Sequence, residues 1–219
     1  MSCHKYNVLI TCEHANNLVP TKYSHHFAPH QALLQTHRGY DIGAFSIAKK
    51  LSTALRCPFF FNDKTRLLVD VNRSLSSRTL FFLPLDKTEQ DMLLCTYYFP
   101  YRKKVCSWIE KHHNVLHLSI HSFTPVLNGN ERHCDIGLLY DPKKDREKNF
   151  CQTLAKELKK DYHVRNNYPY KGISDGFTTY LRKKYPKNYS GIEIEINQKL
   201  AGKQMTTLTR AILRTIHDR

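Results

Sequence analysis

Two periods of apolar residues run through this chain. Alternating or continuous apolar stretches predict strands at residues 6–12, 57–61, 66–71, 115–121, 135–140 and 192–196. A spacing of three and four predicts a helix from Asp41 through Ile42, Phe45, Ala48, Leu51 and Leu55. The same spacing recurs at Val105, Trp108, Ile109 and His112, at Phe150, Leu154, Ala155 and Leu158, and at Met205, Leu208, Ile212 and Ile216. A short helix is expected at residues 31–37. Residues 74–96 lack a period and read as a long loop with short elements, and residues 166–175 as a Pro/Gly/Asn-rich loop. Strands alternating with helices predict one three-layer α/β domain over residues 1–219, with a mostly parallel mixed sheet covered on both faces.

Where the strands stop, polar groups collect. The first runs into Glu13-His14, the 66–71 segment into Asn72-Arg73, and the central one gives out at His121 before Ser122-Phe123-Thr124-Pro125. In the last, period two puts Ile192, Ile194 and Ile196 on one face and Glu193, Glu195 and Asn197 on the other. Two carboxylates on one face of a strand fit either a solvated edge or a site where a cation or a proton-transfer role balances them. In open α/β sheets ligands bind beyond the carboxyl ends of strands. A zinc hydrolase needs three protein ligands, a carboxylate to move a proton and a donor for the oxyanion. His14, His121, an Asp or Glu, Glu195 and Arg66 supply that set, and Arg73 remains as a fork for a substrate carboxylate.

Bulk composition narrows the classes. The 219 residues are 41% hydrophobic and 24% charged, which is ordinary for a globular protein. No apolar run approaches the roughly 18 residues a membrane span requires, and no apolar segment follows the charged start as in a signal peptide. Seven scattered cysteines without a C-x-x-C pair argue against a zinc ribbon and a disulfide framework, and for a reduced, cytoplasmic protein. A formal charge of +15 raises a nucleic-acid reading. The basic residues, however, fall in scattered doublets such as Lys49-Lys50 and Lys183-Lys184, with no recognisable nucleic-acid-binding motif.

Four blocks then resemble the N-formylglutamate amidohydrolases: V-L-I-T-C-E-H-A-N-N-L-V-P (8–20), H-R-G-Y-D-I-G-A (37–44), T-R-L-L-V-D-V-N-R-S (65–74) and H-S-F-T-P-V-L (121–127). D-I-G-L-L-Y-D, N-Y-P-Y-K-G and I-E-I-E-I-N-Q follow in the same order, so the resemblance spans most of residues 6–200. A wider likeness to zinc carboxypeptidases and aspartoacylases lies in Ser119-Ile120-His121-Ser122 and in Arg66 with Asp70-Val71-Asn72-Arg73. The resemblance implies a zinc-carboxypeptidase-like fold. It also implies a hydrolase dependent on zinc or another divalent transition metal, cleaving the amide of a small anionic N-formyl or N-acyl amino acid, as in histidine degradation. Under it His14 and His121 are metal ligands, Arg66 stabilises the oxyanion, Asn72 and Arg73 bind a substrate carboxylate, and Glu195 is the general base acting on metal-activated water.

One position departs from the carboxypeptidase-type H-x-x-E: Asn17 follows His14 at that spacing. The third ligand is then Asp41, whose alternative role is a helix N-cap, or Glu13, which on an extended chain points away from His14. His37 can support the metal site or be a loop residue, Tyr170 and Thr178 can close over substrate or pack, and Cys12 reads as a core residue. A peptide or cell-wall amide as substrate, and a non-catalytic nucleic-acid-binding protein on the same fold, are the competing readings.

Overall fold

The strands are β1 (Asn7–Cys12), β2 (Phe59–Phe61), β3 (Val115–Phe123), β4 (Val126–Leu127), β5 (Asn130–Glu131), β6 (Ile136–Leu139), β7 (Val164–Asn166) and β8 (Tyr189–Asn197). This is a computed structural model, and it describes residues 6–200 and 206–217; the chain start and Met205 lie outside that range. Six strands form one sheet in the order β2-β1-β3-β8-β6-β7, and β4 pairs with β5 alone. All neighbours in the large sheet are parallel except β6, which is antiparallel to β8. The sheet is therefore mixed and mostly parallel, as the alternating elements predict.

The helices are α1 (Ser24–Phe27), α2 (Gln31–Leu34), α3 (Ala44–Leu55), α4 (Lys87–Leu93), α5 (Phe99–Glu110), α6 (Asp145–Leu158), α7 (Phe177–Lys184) and α8 (Thr206–His217). Among the described residues none is long and apolar enough to cross a membrane. Leu116, Leu118 and Ile120 of β3 and Ile192, Ile194 and Ile196 of β8 enter one core, closed by α3, α6 and α8. On the other face Leu9, Val115 and Tyr189 join a second core with α5 and α7. Farther along the strands that second face turns polar. Thr11 and Glu13, then His117, Ser119 and His121, then Glu195 are all buried on it. Period two thus sorts the sheet into one apolar face and one that changes from apolar to polar toward the strand ends.

The structure differs from expectation in four places. Residues 66–71 are not a strand: among the described residues no strand pairs with them, and the segment turns on itself through Leu68 N–H to Thr65 O, Arg73 N–H to Asp70 O and Asn72 N–H to the Asp70 carboxylate. Its alternation reflects burial of Leu67, Leu68, Val69 and Val71 against the second core. The helix expected from Asp41 begins at Ala44, because Gly43 at φ 85° occupies a left-handed position before it. Residues 74–96 include α4, whose Asp86 and Glu89 form a capping box, running through a π-helical turn at Leu94–Tyr98 into α5. β3 also runs two residues past His121.

One buried ion pair ties four segments together. Arg182 Nε donates to both carboxylate oxygens of Glu147, and its other nitrogens donate to Gly172 O and Gly191 O at 2.6 Å each. Glu147 in turn accepts from the N–H groups of Gly191 and Asp141 at 2.9 Å. Removing one member strands a buried charge. Arg182→Ala should lower the unfolding free energy by about 3–5 kcal/mol, read as a shift of the urea midpoint with an unchanged slope.

Candidate functional site

The polar ends of β1, β3 and β8 open into a cleft of about 480 Å³, a size suited to a small ligand. His14, His37, Asp41, Arg66, Asn72, Arg73, His121, Tyr170, Lys171, Glu193 and Glu195 all line it. Asp41 reaches the site by a backbone bond, its N–H donating to His14 O at 2.9 Å. Strand register does the rest, since His121 lies directly across from Glu195. Glu195 on its other side faces Gly137, where an added Cβ would fall 1.9 Å from Tyr168 O. Only glycine there lets the 168 backbone close beside Glu195.

His14, Asp41 and His121 form a buried group whose ligand atoms lie within 4.8 Å of one another and could hold a metal ion. A carboxylate can only accept, so His14 Nε2, 2.8 Å from Asp70 Oδ1, donates to it. His14 Nδ1 is left buried without a hydrogen-bond partner, 3.5 Å from Asp41 Oδ2. His121 Nδ1 meets the same Asp41 oxygen at 2.8 Å. Two imidazole Nδ1 atoms and one carboxylate oxygen therefore converge, and one of the nitrogens has no partner of its own. Nitrogen and oxygen donors in that number suit zinc or a similar divalent transition ion.

Burial opposes charge on every carboxylate here, and its neighbours decide the outcome. For Asp70, burial is outweighed by His14 and Arg66, which hold it well below the usual carboxylate range. For Asp41, burial is outweighed by His14 and His121 in the same sense. Burial alone would push the His121 imidazole down, but hydrogen bonds to Asp41 and Glu13 hold it well above its ordinary value. Glu195 is different. Burial, reinforced by Asp41 and Glu193, pushes it up to about 8, and its Oε2 is buried without a partner. A carboxyl poised near neutrality is suited to taking and returning a proton.

Arg66 Nη2 donates to Asp70 Oδ2 at 2.9 Å while its Nη1 lies 3.6 Å from Asp41 Oδ1, so the guanidinium bridges two carboxylates at the wall of the cleft. Arg73 donates to Asp175 O at 2.9 Å. Asn72 Oδ1 accepts from Phe177 N–H at the start of α7, at 2.7 Å. Every site residue named from the sequence reaches this one cleft. Of the secondary candidates, Tyr170 is exposed at its mouth, and Thr178 is buried with its hydroxyl on Glu193. Cys12 is a core residue. Asn17 points elsewhere, donating to Leu34 O at 2.9 Å.

Two buried carboxylates were not assigned their positions by sequence reasoning. Asp70 sits behind His14, and Glu13 lies under His121, 3.2 Å from its Nε2. Glu13 was legible in part, because it continues the Leu9, Thr11 alternation beyond the strand end. Asp70 was named only within the Asp70-Val71-Asn72-Arg73 likeness, with no role given to it.

A family model for N-formylglutamate amidohydrolase matches residues 6–201. Among solved structures, a gene product of Agrobacterium tumefaciens, Atu2144, is 25% identical with a TM-score of 0.82, covering 97% of this chain and 88% of that one. The N-formylglutamate amidohydrolase of Ralstonia eutropha JMP134 is 18% identical with a TM-score of 0.68, covering 96% of this chain and 91% of that one, which shows a shared fold. No curated protein matches the chain. With its sequence matched from the first strand through the last, this chain belongs to the N-formylglutamate amidohydrolase family.

Proposed function

We propose that this protein hydrolyses the amide of an N-formyl or other N-acyl acidic amino acid, such as N-formylglutamate, with a divalent metal held by His14, Asp41 and His121. The observation that carries this reading is the convergence of two Nδ1 atoms and a carboxylate oxygen, all buried, in a cleft with a partnerless Glu195 oxygen. Family membership supports the same reaction class. Asp41 is assigned as third ligand in preference to Glu13, since Glu13 faces the far nitrogen of His121. Zinc, or a similar ion, would supply Lewis acidity to the scissile carbonyl and lower the pKa of the attacking water.

The chain's own groups then divide the remaining work. Glu195 takes a proton from the attacking water and returns it to the leaving nitrogen as the C–N bond breaks, releasing the acid and the free amino acid. Arg66, already fixed by Asp70, faces the oxygen on which negative charge grows. Arg73 grips a substrate carboxylate, with Asn72 beside it. Its Nδ2 is the amide atom available for this, because Oδ1 is engaged by Phe177 N–H. Asp70 holds the Nε2 proton of His14, which keeps Nδ1 directed into the site.

Metal content tests the centre directly. The purified protein should carry about one zinc or similar ion per chain by elemental mass spectrometry, a count set by the three-ligand site, and His14→Ala or His121→Ala should lose it. A wild-type protein that takes up no ion on reconstitution would refute the centre. Glu195→Gln should keep the metal and lower turnover of N-formylglutamate by about 10²–10⁴-fold, the range for removing a general acid–base group. Arg73→Ala should raise KM for N-acyl amino acids bearing a carboxylate much more than for their neutral amide counterparts.

A further inference from the structure

Glu13 is fully buried, and every contact of its carboxylate is accounted for. Oε1 accepts from Tyr101 Oη at 2.9 Å. Oε2 accepts from Ser119 Oγ at 2.6 Å and lies 3.2 Å from His121 Nε2. Ser119 Oγ is itself 2.9 Å from the same His121 nitrogen. A hydroxyl has one proton. With that proton directed to Glu13, Ser119 can only accept from His121, and so can the Glu13 carboxylate. Both require a proton on His121 Nε2.

We propose that Glu13, acting through Ser119, is a positioning residue that makes His121 a metal ligand. The pair fixes a proton on Nε2 and thereby leaves Nδ1, which here meets Asp41 at 2.8 Å, as the nitrogen that can exchange its proton for a cation at the point shared with Asp41 and His14. The arrangement mirrors Asp70 behind His14, where a buried carboxylate also takes the Nε2 proton. The two differ in access: Asp70 is bridged by Arg66 at the cleft wall, whereas Glu13 is sealed beneath the sheet face by Tyr101. Glu13 also places a full negative charge behind the ring. That charge strengthens nitrogen as a donor to a cation, as carboxylates behind ligating histidines do in general. A neighbour of His14 in sequence therefore acts on the other histidine, 108 positions away by number (121 − 13).

This inference rests on the metal centre proposed above, and the test separates the two. Wild-type protein, Glu13→Gln, Ser119→Ala and Tyr101→Phe are stripped of metal, checked for folding by thermal melting, and titrated with zinc against a competing chelator. Glu13→Gln should bind zinc about 10–100-fold more weakly than wild type, the usual effect of losing such a partner. Ser119→Ala should weaken binding in the same direction. Tyr101→Phe, which touches Glu13 but not His121, should lower the melting temperature while leaving zinc affinity near wild type. With cobalt in place of zinc, the visible spectrum should change in Glu13→Gln and not in Tyr101→Phe. A folded Glu13→Gln with wild-type affinity and an unaltered cobalt spectrum would overturn the role of Glu13. Should Glu13→Gln fail to fold, Ser119→Ala decides: weakened binding supports the role and unchanged binding removes it. Absence of zinc binding by the wild type would instead remove the metal centre, and this role with it.

Discussion

Four carboxylates, from Glu13, Asp41, Asp70 and Glu195, are buried around two imidazoles and one guanidinium, and the rest of the structure answers to that imbalance. An unpaired buried charge is too costly to persist, so each carboxylate must be paired or protonated. Asp70 takes Arg66 and His14, Glu13 takes Ser119, Tyr101 and the far side of His121, and Asp41 lies between the two histidines. For Glu195 burial wins: His121 and Arg66 draw its pKa down, but they do not offset burial joined by Asp41 and Glu193, and it rises to about 8. The same constraint that would destabilise a protein without a ligand gives this one a place for a cation and a group able to exchange a proton near neutral pH.

The sheet accommodates the charges by dividing its faces. Ile192, Ile194 and Ile196 anchor β8 in one core while the alternate positions carry Glu193 and Glu195 toward the cleft. β3 repeats the division with Leu118 and Ile120 opposite Ser119 and His121. His117, one step below Ser119, shows where the polar column ends. It is clamped between Thr11 and Tyr189 at 2.7 and 2.6 Å, and burial pushes its pKa down to about 4. Below it Val115, Leu9 and Tyr189 restore the apolar core.

This division was legible because period two survives in β3 and β8 and period 3.6 in α3, α6 and α8. The layer architecture followed from it, and family motifs singled out the residues that the fold brings into one cleft. Most of what stayed hidden had no local signature. Residues 66–71 alternate like a strand, yet Asp70 bonds its own downstream N–H and among the described residues no strand pairs with them. β6 runs antiparallel to β8, and the close approach of Tyr168 O to Gly137 and the bond from Arg182 to Gly172 O are likewise contacts that spacing does not encode. The capping box at Asp86 and Glu89 was present in the sequence and marks α4 where hydrophobic periodicity is weak. Asp70 meets His14 across 56 positions, a pairing that spacing alone does not encode.

The separations in the chain also bear on how the protein comes to be. His14 contacts Asp70 across 56 positions, His121 contacts Asp41 across 80, and Ser119 contacts Glu13 across 106. β3 must pair with β1 before it and β8 after it, and β8 ends at Asn197. Closing loops of this length carries an entropy cost before any contact rewards it, and topologies rich in such contacts fold slowly. During synthesis, the nascent chain cannot complete the sheet face that carries Glu195 until β8 has left the ribosome. The site thus cannot exist before β8 does, and a chain interrupted before β8 would expose an unpaired β3 edge with its acidic and imidazole groups uncovered.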